Sequence, residues 1–235
     1  MIRIGCAGFP VGRDRYWREL DFAEAATGAV MPRPATLANW KADVPQGGEL
    51  AVQAYHLVTH GPQDAGFPAA GKALSKARQP LCGAFRETLE VHEAWLATKA
   101  AAEALGARLV VFETPASFLP GPDRLRDFYR FFKAFPRGRL TPVWAPRGAE
   151  WERLADKVCG DLGLERAFDP LRQKPPARGR VRYLRPGVPR GRFLGVDDMS
   201  TIAAAVEKGP AFVVFSHLHA FKDALRLKAL VAGRA

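Results

Sequence analysis

Short apolar runs alternate with helix-length periodic segments from one end of the chain to the other, and this rhythm constrains the fold more than any other feature. Residues 2–5, 22–25, 50–54, 109–113, 141–145, 166–169, 181–184 and 212–215 read as strands. The second is weak because alanine is a poor strand former, and the sixth is short. Helices are predicted at 87–105, stopped by Gly106, at 123–135 after Pro122, and at 150–162, stopped by Gly163. Two more, 200–207 and 220–231, flank the last strand. Phe128, Phe131, Phe132 and Phe135 form a wide apolar face on the 123–135 helix, which reads as core packing rather than a cofactor box. Eight parallel strands with intervening helices close most naturally into a TIM-type (β/α) barrel. The 235 residues suffice for one such barrel, so a single domain over 1–235 is expected. Residues 59–83, rich in Gly, Pro, Ala and Lys, predict a long loop with one short helix, and the Gly- and Pro-rich 173–195 predict irregular chain around the seventh strand.

The best-defined strand, Leu109-Val-Val-Phe-Glu113, runs into Thr114-Pro115, where proline prevents a ladder from continuing. Glu113 is thus left at a strand exit. In a barrel of this type the C-terminal strand ends and the loops after them form one mouth, which carries the chemistry. Reading those exits in order collects Cys6 to Phe9, Glu24, Gln53, Tyr55, His56, Glu113, Trp144, Arg147, Asp169, Arg185, Ser216, His217 and His219. Glu24, Glu113 and Asp169 are the candidate catalytic groups: carboxylates with separated pKa values exchange protons with a substrate, and three can hold a divalent ion. The structural reading has equal weight, with these carboxylates neutralising Arg147 and Arg185 in a buried ionic network. His56 and His60 are four apart, a metal-ligand spacing on a helix, but they follow a strand. Hydrogen-bonding or substrate-binding roles are their alternative. Tyr55, His56, His60, Trp144, Arg147, Arg185 and His217 make up the candidate ligand-binding set, while His219 can equally cap the last helix. No nucleophile elbow, P-loop, dinucleotide fingerprint or metalloprotease helix is present, and the cofactor and metal stay unspecified.

The formal net charge of +11 favours anionic partners, although it also serves solubility. Between Leu171 and Val196 there is no acid, while Arg172, Lys174, Arg178, Arg180, Arg182, Arg185, Arg190 and Arg192 all fall inside. Guanidinium groups bind phosphate bidentately, so this stretch suits phosphate contacts; a solvated basic loop is the bland reading. With Tyr183 and Phe193 as its only aromatics, it gives weak support to a base-stacking surface. Cys6, Cys82 and Cys159 are too few and scattered for a disulfide framework or zinc knuckle, and are expected as reduced, mostly buried thiols, with Cys6 a remote candidate for reactivity. No apolar run approaches the roughly 18 residues that span a bilayer, and the chain enters a strand at once, so a cytoplasmic protein is expected.

Several ordered motifs resemble a known family: Ile2-Arg-Ile-Gly-Cys-Ala-Gly8, Pro34-Ala-Thr-Leu-Ala-Asn-Trp40, Ala51-Val-Gln-Ala54 with Thr59-His60, Phe112-Glu-Thr-Pro-Ala-Ser-Phe118, Trp144-Ala-Pro-Arg-Gly148, Asp169-Pro170 and Asp223-Ala-Leu225. In order and spacing they resemble the YecE-like proteins, the domain of unknown function seventy-two, over nearly the whole chain. The resemblance implies a TIM-type barrel and no established activity. It also exposes departures. Gln53 stands where the family usually has lysine, Glu113 where it has glutamine, and Ala145 where an acid is expected. Thr27-Gly28-Ala29-Val30, Pro186-Gly187-Val188 and Ser216-His217 replace other family segments. Glu24, Thr59, His60, Trp144, Arg147, Asp169 and Arg185 match the family pattern.

Three functions follow. The favoured one is a barrel with a partly degraded or repurposed family site, binding a phosphorylated or polyanionic ligand, a small molecule or nucleic acid, at the mouth. The second is a divalent-metal-dependent hydrolase or phosphodiesterase. The third is a structural or interaction protein without catalysis. No membrane partner is expected, and the sequence is silent on oligomeric state.

Overall fold

The computed structural model describes residues 1–134, 136–188, 192–207 and 209–233; Phe135, Pro189, Arg190 and Gly191 lie outside the described residues. The strands are β1 Ile2–Ala7, β2 Phe22–Ala25, β3 Glu49–Gln53, β4 Leu109–Glu113, β5 Thr141–Ala145, β6 Glu165–Phe168, β7 Arg182–Leu184 and β8 Ala211–Phe215. They pair in sequence order, all parallel, and β1 closes on β8 with Ile2 opposite Ala211 and Cys6 opposite Phe215. The fold is a TIM-type barrel, and each expected strand is present to within two residues at either end.

Alternation along the strands sorts side chains into two shells, because successive residues point to opposite faces. Phe22, Ala51, Leu109, Val111, Val143, Ala167, Tyr183, Phe212 and Val214 fill the barrel interior. Ala23, Val52, Val110, Phe112, Trp144, Phe168, Leu184, Val213 and Phe215 point outward into the larger core beneath the helices. Gly5 is required by proximity: a Cβ there would lie 2.0 Å from the Phe22 carbonyl oxygen. The same crowded spot is pinned by Tyr16, whose hydroxyl accepts from Cys6 N at 2.8 Å and donates to Phe22 O at 2.6 Å.

The helices are α1 Arg13–Glu19, α2 Pro34–Ala42, α3 His56–Thr59, α4 Phe67–Ala70, α5 Leu89–Leu105, α6 Pro122–Ala134, α7 Ala155–Leu162, α8 Val196–Val206 and α9 Ala220–Ala232. α5 starts at Thr88, whose hydroxyl accepts from Val91 N, and ends on the left-handed Gly106. On α6, Phe128, Phe131 and Phe132 recur at helical spacing and are buried against Phe85, Phe112 and Trp144. That confirms the core reading of the stripe. The helix expected over 150–162 is split into a 3-10 turn, Ala149–Trp151, and α7. α1, α2 and the one-turn α3 were not legible as helices.

No helix separates β6 from β7 among the described residues. The chain instead returns as coil, held where Arg166 Nη2 donates to Lys174 O at 2.6 Å and Arg180 N donates to Glu165 Oε1 at 3.0 Å. No described helix is long and apolar enough to cross a membrane.

Candidate ligand site at the barrel mouth

Alternation decides which residues at the C-terminal strand ends face the axis. Glu24, Gln53, Glu113, Ala145, Asp169, Arg185 and Ser216 share the parity of the interior shell. Trp144, Cys6 and His217 carry the opposite parity.

Arg185, directly after β7, is the centre. Its Nη1 lies 2.8 Å from both Glu24 Oε1 and Glu24 Oε2, and its Nη2 donates to Glu113 Oε1. Arg147 reaches the other oxygen of Glu113 from the loop after β5, Nη2 to Oε2 at 3.3 Å. Glu24 is wholly buried and also accepts from Tyr183 Oη at 2.5 Å and Gln53 Nε2 at 2.8 Å. Two carboxylates and two guanidinium groups therefore balance in one plate, and a buried carboxylate has every approach met by a donor. Gln53 supplies a neutral amide where the resemblance implies lysine, and Glu113 supplies the second charge that Arg185 bridges.

Protonation follows from these contacts. Burial pushes the Glu113 carboxyl up, but Arg185, Arg147 and the two nearby histidines outweigh it and hold the group below its usual range. Arg185 is held above its ordinary value: burial opposes its charge, and Glu24 and Glu113 more than compensate. Burial, with the neighbouring Glu24, pushes the Tyr183 hydroxyl well up, so it remains a donor. Asp169 is raised by burial, against the amide donors of Leu171 and Gly187 and the cation of Arg172. His60 is lowered to about 4 by burial and by His56, so it is neutral at pH 7.

The three candidate carboxylates divide accordingly. Glu24 is sealed and saturated, which excludes contact with a ligand in this arrangement. Glu113 is ionised and engaged by two arginines. Asp169 has one oxygen bound by Leu171 N at 3.0 Å and the other 3.7 Å from Arg172 Nε, and it faces open space.

That space is a cavity of about 470 Å³ over the plate, bounded by Glu113, Arg147, Asp169, Arg172, Gln173, Arg185 and Ser216, with Ala145 and Gly187 leaving room in its wall. Arg147 and Arg172 are well exposed, at 64% and 57%, whereas Arg185 beneath them is 14% exposed. Arg172, Gln173 and Tyr183 were missed as partners of this site, whereas Ser216 was gathered with the strand exits but not among the candidate ligand-binding residues. Parity with Arg185 was the signal for Tyr183.

Other expected members stand elsewhere. Trp144 is fully buried in the outer core, its ring against Phe128 and Trp151 and its Nε1 donating to Thr114 Oγ1 at 3.3 Å. It lies outside the mouth. Tyr55 spends its hydroxyl on Ala70 O at 2.8 Å, packing α3 to α4. His217 turns toward α9, with Nε2 3.5 Å from Asp223 Oδ2 and Nδ1 accepting from His219 N. His219 precedes α9 but makes no side-chain cap. His56 and His60 do sit one helical turn apart, their rings stacked at 4.1 Å. His56 Nδ1 lies 3.1 Å from Gly66 O and His60 Nδ1 2.8 Å from Thr59 Oγ1, so both rings brace the loop after β3 beside Glu113. Among the described residues no three His, Cys, Asp or Glu side chains come together as a metal site. Cys6, Cys82 and Cys159 are free and buried; burial pushes the Cys6 thiol up to about 12, which removes it as a nucleophile.

The basic stretch does not form one patch. Arg172 and Arg185 are at the mouth, whereas Arg178 and Arg180 border a larger cavity of about 800 Å³ at the opposite end of the barrel, beside α7 and Glu165. Arg182 is tied to Ala205 O at 3.1 Å.

No family model matches the sequence, and no curated protein matches it significantly. Solved structures do. A DUF72 family protein from Enterococcus faecalis superposes with a TM-score of 0.74 at 14% identity, covering 99% of this chain and 98% of that one. A DUF72 family protein from Thermotoga maritima gives 0.68 at 13% identity, covering 99% of both chains. Endonuclease IV from Thermus thermophilus gives 0.57 at 15% identity, covering 99% of this chain and 100% of that one. The resemblance seen in the motifs thus extends to the whole architecture, a shared barrel at low identity.

Proposed function

We propose that this YecE-like barrel binds a small anionic molecule at its mouth, held between Arg147 and Arg172 over the sealed Glu24–Arg185–Glu113 plate. One observation carries the reading. The buried cation is already neutralised, while the exposed guanidinium groups of Arg147, 3.3 Å from Glu113, and Arg172, 3.7 Å from Asp169, border the same cavity, with Glu152 as a further acid at its edge. Gln173 and Ser216 offer neutral hydrogen bonds there, and Asp169 offers an acceptor, so the fitting ligand carries a phosphate or carboxylate together with hydroxyl groups. The dispersal of the basic stretch over both ends favours a small ligand over a nucleic acid. The metal-dependent hydrolase reading finds no cluster of ligating side chains among the described residues to support it.

Isothermal titration with inorganic phosphate and with small phosphorylated polyols tests this. Saturable binding is expected, and the Arg147→Ala/Arg172→Ala double variant is expected to weaken it about ten-fold or more. Undiminished affinity in that variant would overturn the assignment. A single-stranded oligonucleotide bound more tightly, with a steep salt dependence, would instead restore the nucleic-acid reading.

A further inference from the structure

A third cavity, of about 300 Å³, lies between the loops that follow β3 and β4. It shares no lining residue with the mouth cavity. Pro62, Pro80, Pro115 and Phe118 give it stiff apolar walls, and two arginines, Arg86 and Arg124, border it.

The arginines are held there by different means. Gly83, Ala84 and Phe85 all have positive φ, at 82°, 55° and 57°. For the two non-glycine residues this conformation is strained. Gly83 has no substitute, because a Cβ would sit 2.3 Å from the His60 backbone. The turn folds the chain back so that Arg86 Nε donates to Gly83 O at 3.2 Å and Nη2 donates to Cys82 O. Those bonds orient the guanidinium without supplying a negative charge. Arg124 stands in the first turn of α6 and makes no hydrogen bond or ion pair with the described residues. Burial and then the nearby Arg124 hold Arg86 below its usual value, so the two cations feel one another.

Asp64 is the cavity's acid, and it does not pair with either arginine. It is buried, accepting from Gly61 N at 2.7 Å on Oδ2 and from Ser117 Oγ at 2.5 Å on Oδ1. Asp127 on α6 lies near enough to support the charge of Arg86, but neither guanidinium group is ion-paired among the described residues, and two of them bordering one concave site favour an anion there.

We infer that this cavity is an anion site for the phosphate of a phosphomonoester, gripped by Arg86 and Arg124, separate from the mouth. A volume near 300 Å³ admits the phosphate and a few further atoms and excludes a polymer. The inference stands independently of the mouth ligand.

Amide NMR of the intact protein separates the two sites. Titration with inorganic phosphate, against sodium chloride at matched ionic strength, is expected to shift the amides of Gly61, Ala84, Arg86, Ser117 and Arg124. Methyl phosphate distinguishes a phosphomonoester from the free ion by binding at least as tightly. Arg124→Ala, a substitution on a half-buried side chain with no bonds to lose, is expected to weaken the response about ten-fold or more, and Arg124→Lys to weaken it less. The Arg147→Ala/Arg172→Ala variant is expected to leave it unchanged. Absent shifts, equal shifts with chloride, or full retention in Arg124→Ala would each overturn the site. Loss of the mouth response with retention of this one would refute only the mouth.

Discussion

At the N-terminal end of the barrel Arg3 pairs with Asp21 at 2.5 Å, and Arg108 with Glu49 at 2.8 Å; at the C-terminal end Arg185 lies between Glu24 and Glu113. Both ends are closed by charge. At the lower end each pair has one member in water, Asp21 at 45% and Arg108 at 65% exposed, against largely buried partners in Arg3 and Glu49. A solvent-exposed member such as Arg108 adds little energy to its pair. At the upper end Glu24 is wholly buried, Arg185 nearly so, and a second rank of exposed arginines stands above them. Arg147 completes the charge balance of the plate through Glu113 and Arg172 stands beside Asp169, yet both keep most of their surface open to the cavity. The contrast separates charge that finishes a barrel from charge that is presented to a ligand.

The comparison breaks most decisively at Arg185. Arg185→Met leaves Glu24 buried without its cation and is expected to cost about 3–5 kcal/mol in urea unfolding. Were that variant no less stable than a lower-end one, the upper plate would be no more than surface pairing. A smaller effect sharpens the picture through pH. The unfolded chain protonates His60 near 6.5, the folded protein only near 4, so between these values the unfolded state binds more protons. Stability is therefore expected to fall as pH drops through that window, by on the order of 2–3 kcal/mol. His60→Gln should flatten this limb of a stability–pH profile, and an unchanged profile would remove His60 from the rim's electrostatics. The smallest effect belongs to the lower end: Arg108→Ala is expected to change unfolding free energy by about 1 kcal/mol or less.

The barrel was legible because β-α alternation and helix stops such as Gly106 and Gly163 are local properties of sequence. The mouth was legible only by half. Listing strand exits gathered Glu24, Glu113, Asp169 and Arg185 together with Trp144 and His217, although consecutive residues on a strand cannot share a face. Applying that parity to Trp144-Ala145 and Ser216-His217 would have exchanged the large side chains for the small ones, and would have found Tyr183 two residues before Arg185. The remainder depends on loops. Nothing in the spacing brings Arg86 beside Arg124, or turns Tyr55 toward Ala70, because those contacts follow from how separate loops pack. The single turn that places His56 over His60 is too short for a periodic signal.

The helixless return between β6 and β7 gives the barrel a thin seam. β7 has three residues, and the crossover leading into it is coil where the other crossovers hold a helix, although Leu184 is buried in the outer core and Arg182 is bonded to Ala205 of α8. Hydrogen exchange and proteolysis should begin in that coil, since local opening starts where hydrogen-bonded structure is sparse. Arg185 rides on the end of β7, so each such breath would draw the guanidinium away from Glu24 and Glu113 together. The weakest stretch of wall is thereby tied to the strongest knot of charge, and a molecule that fastens the rim would stiffen the seam from above.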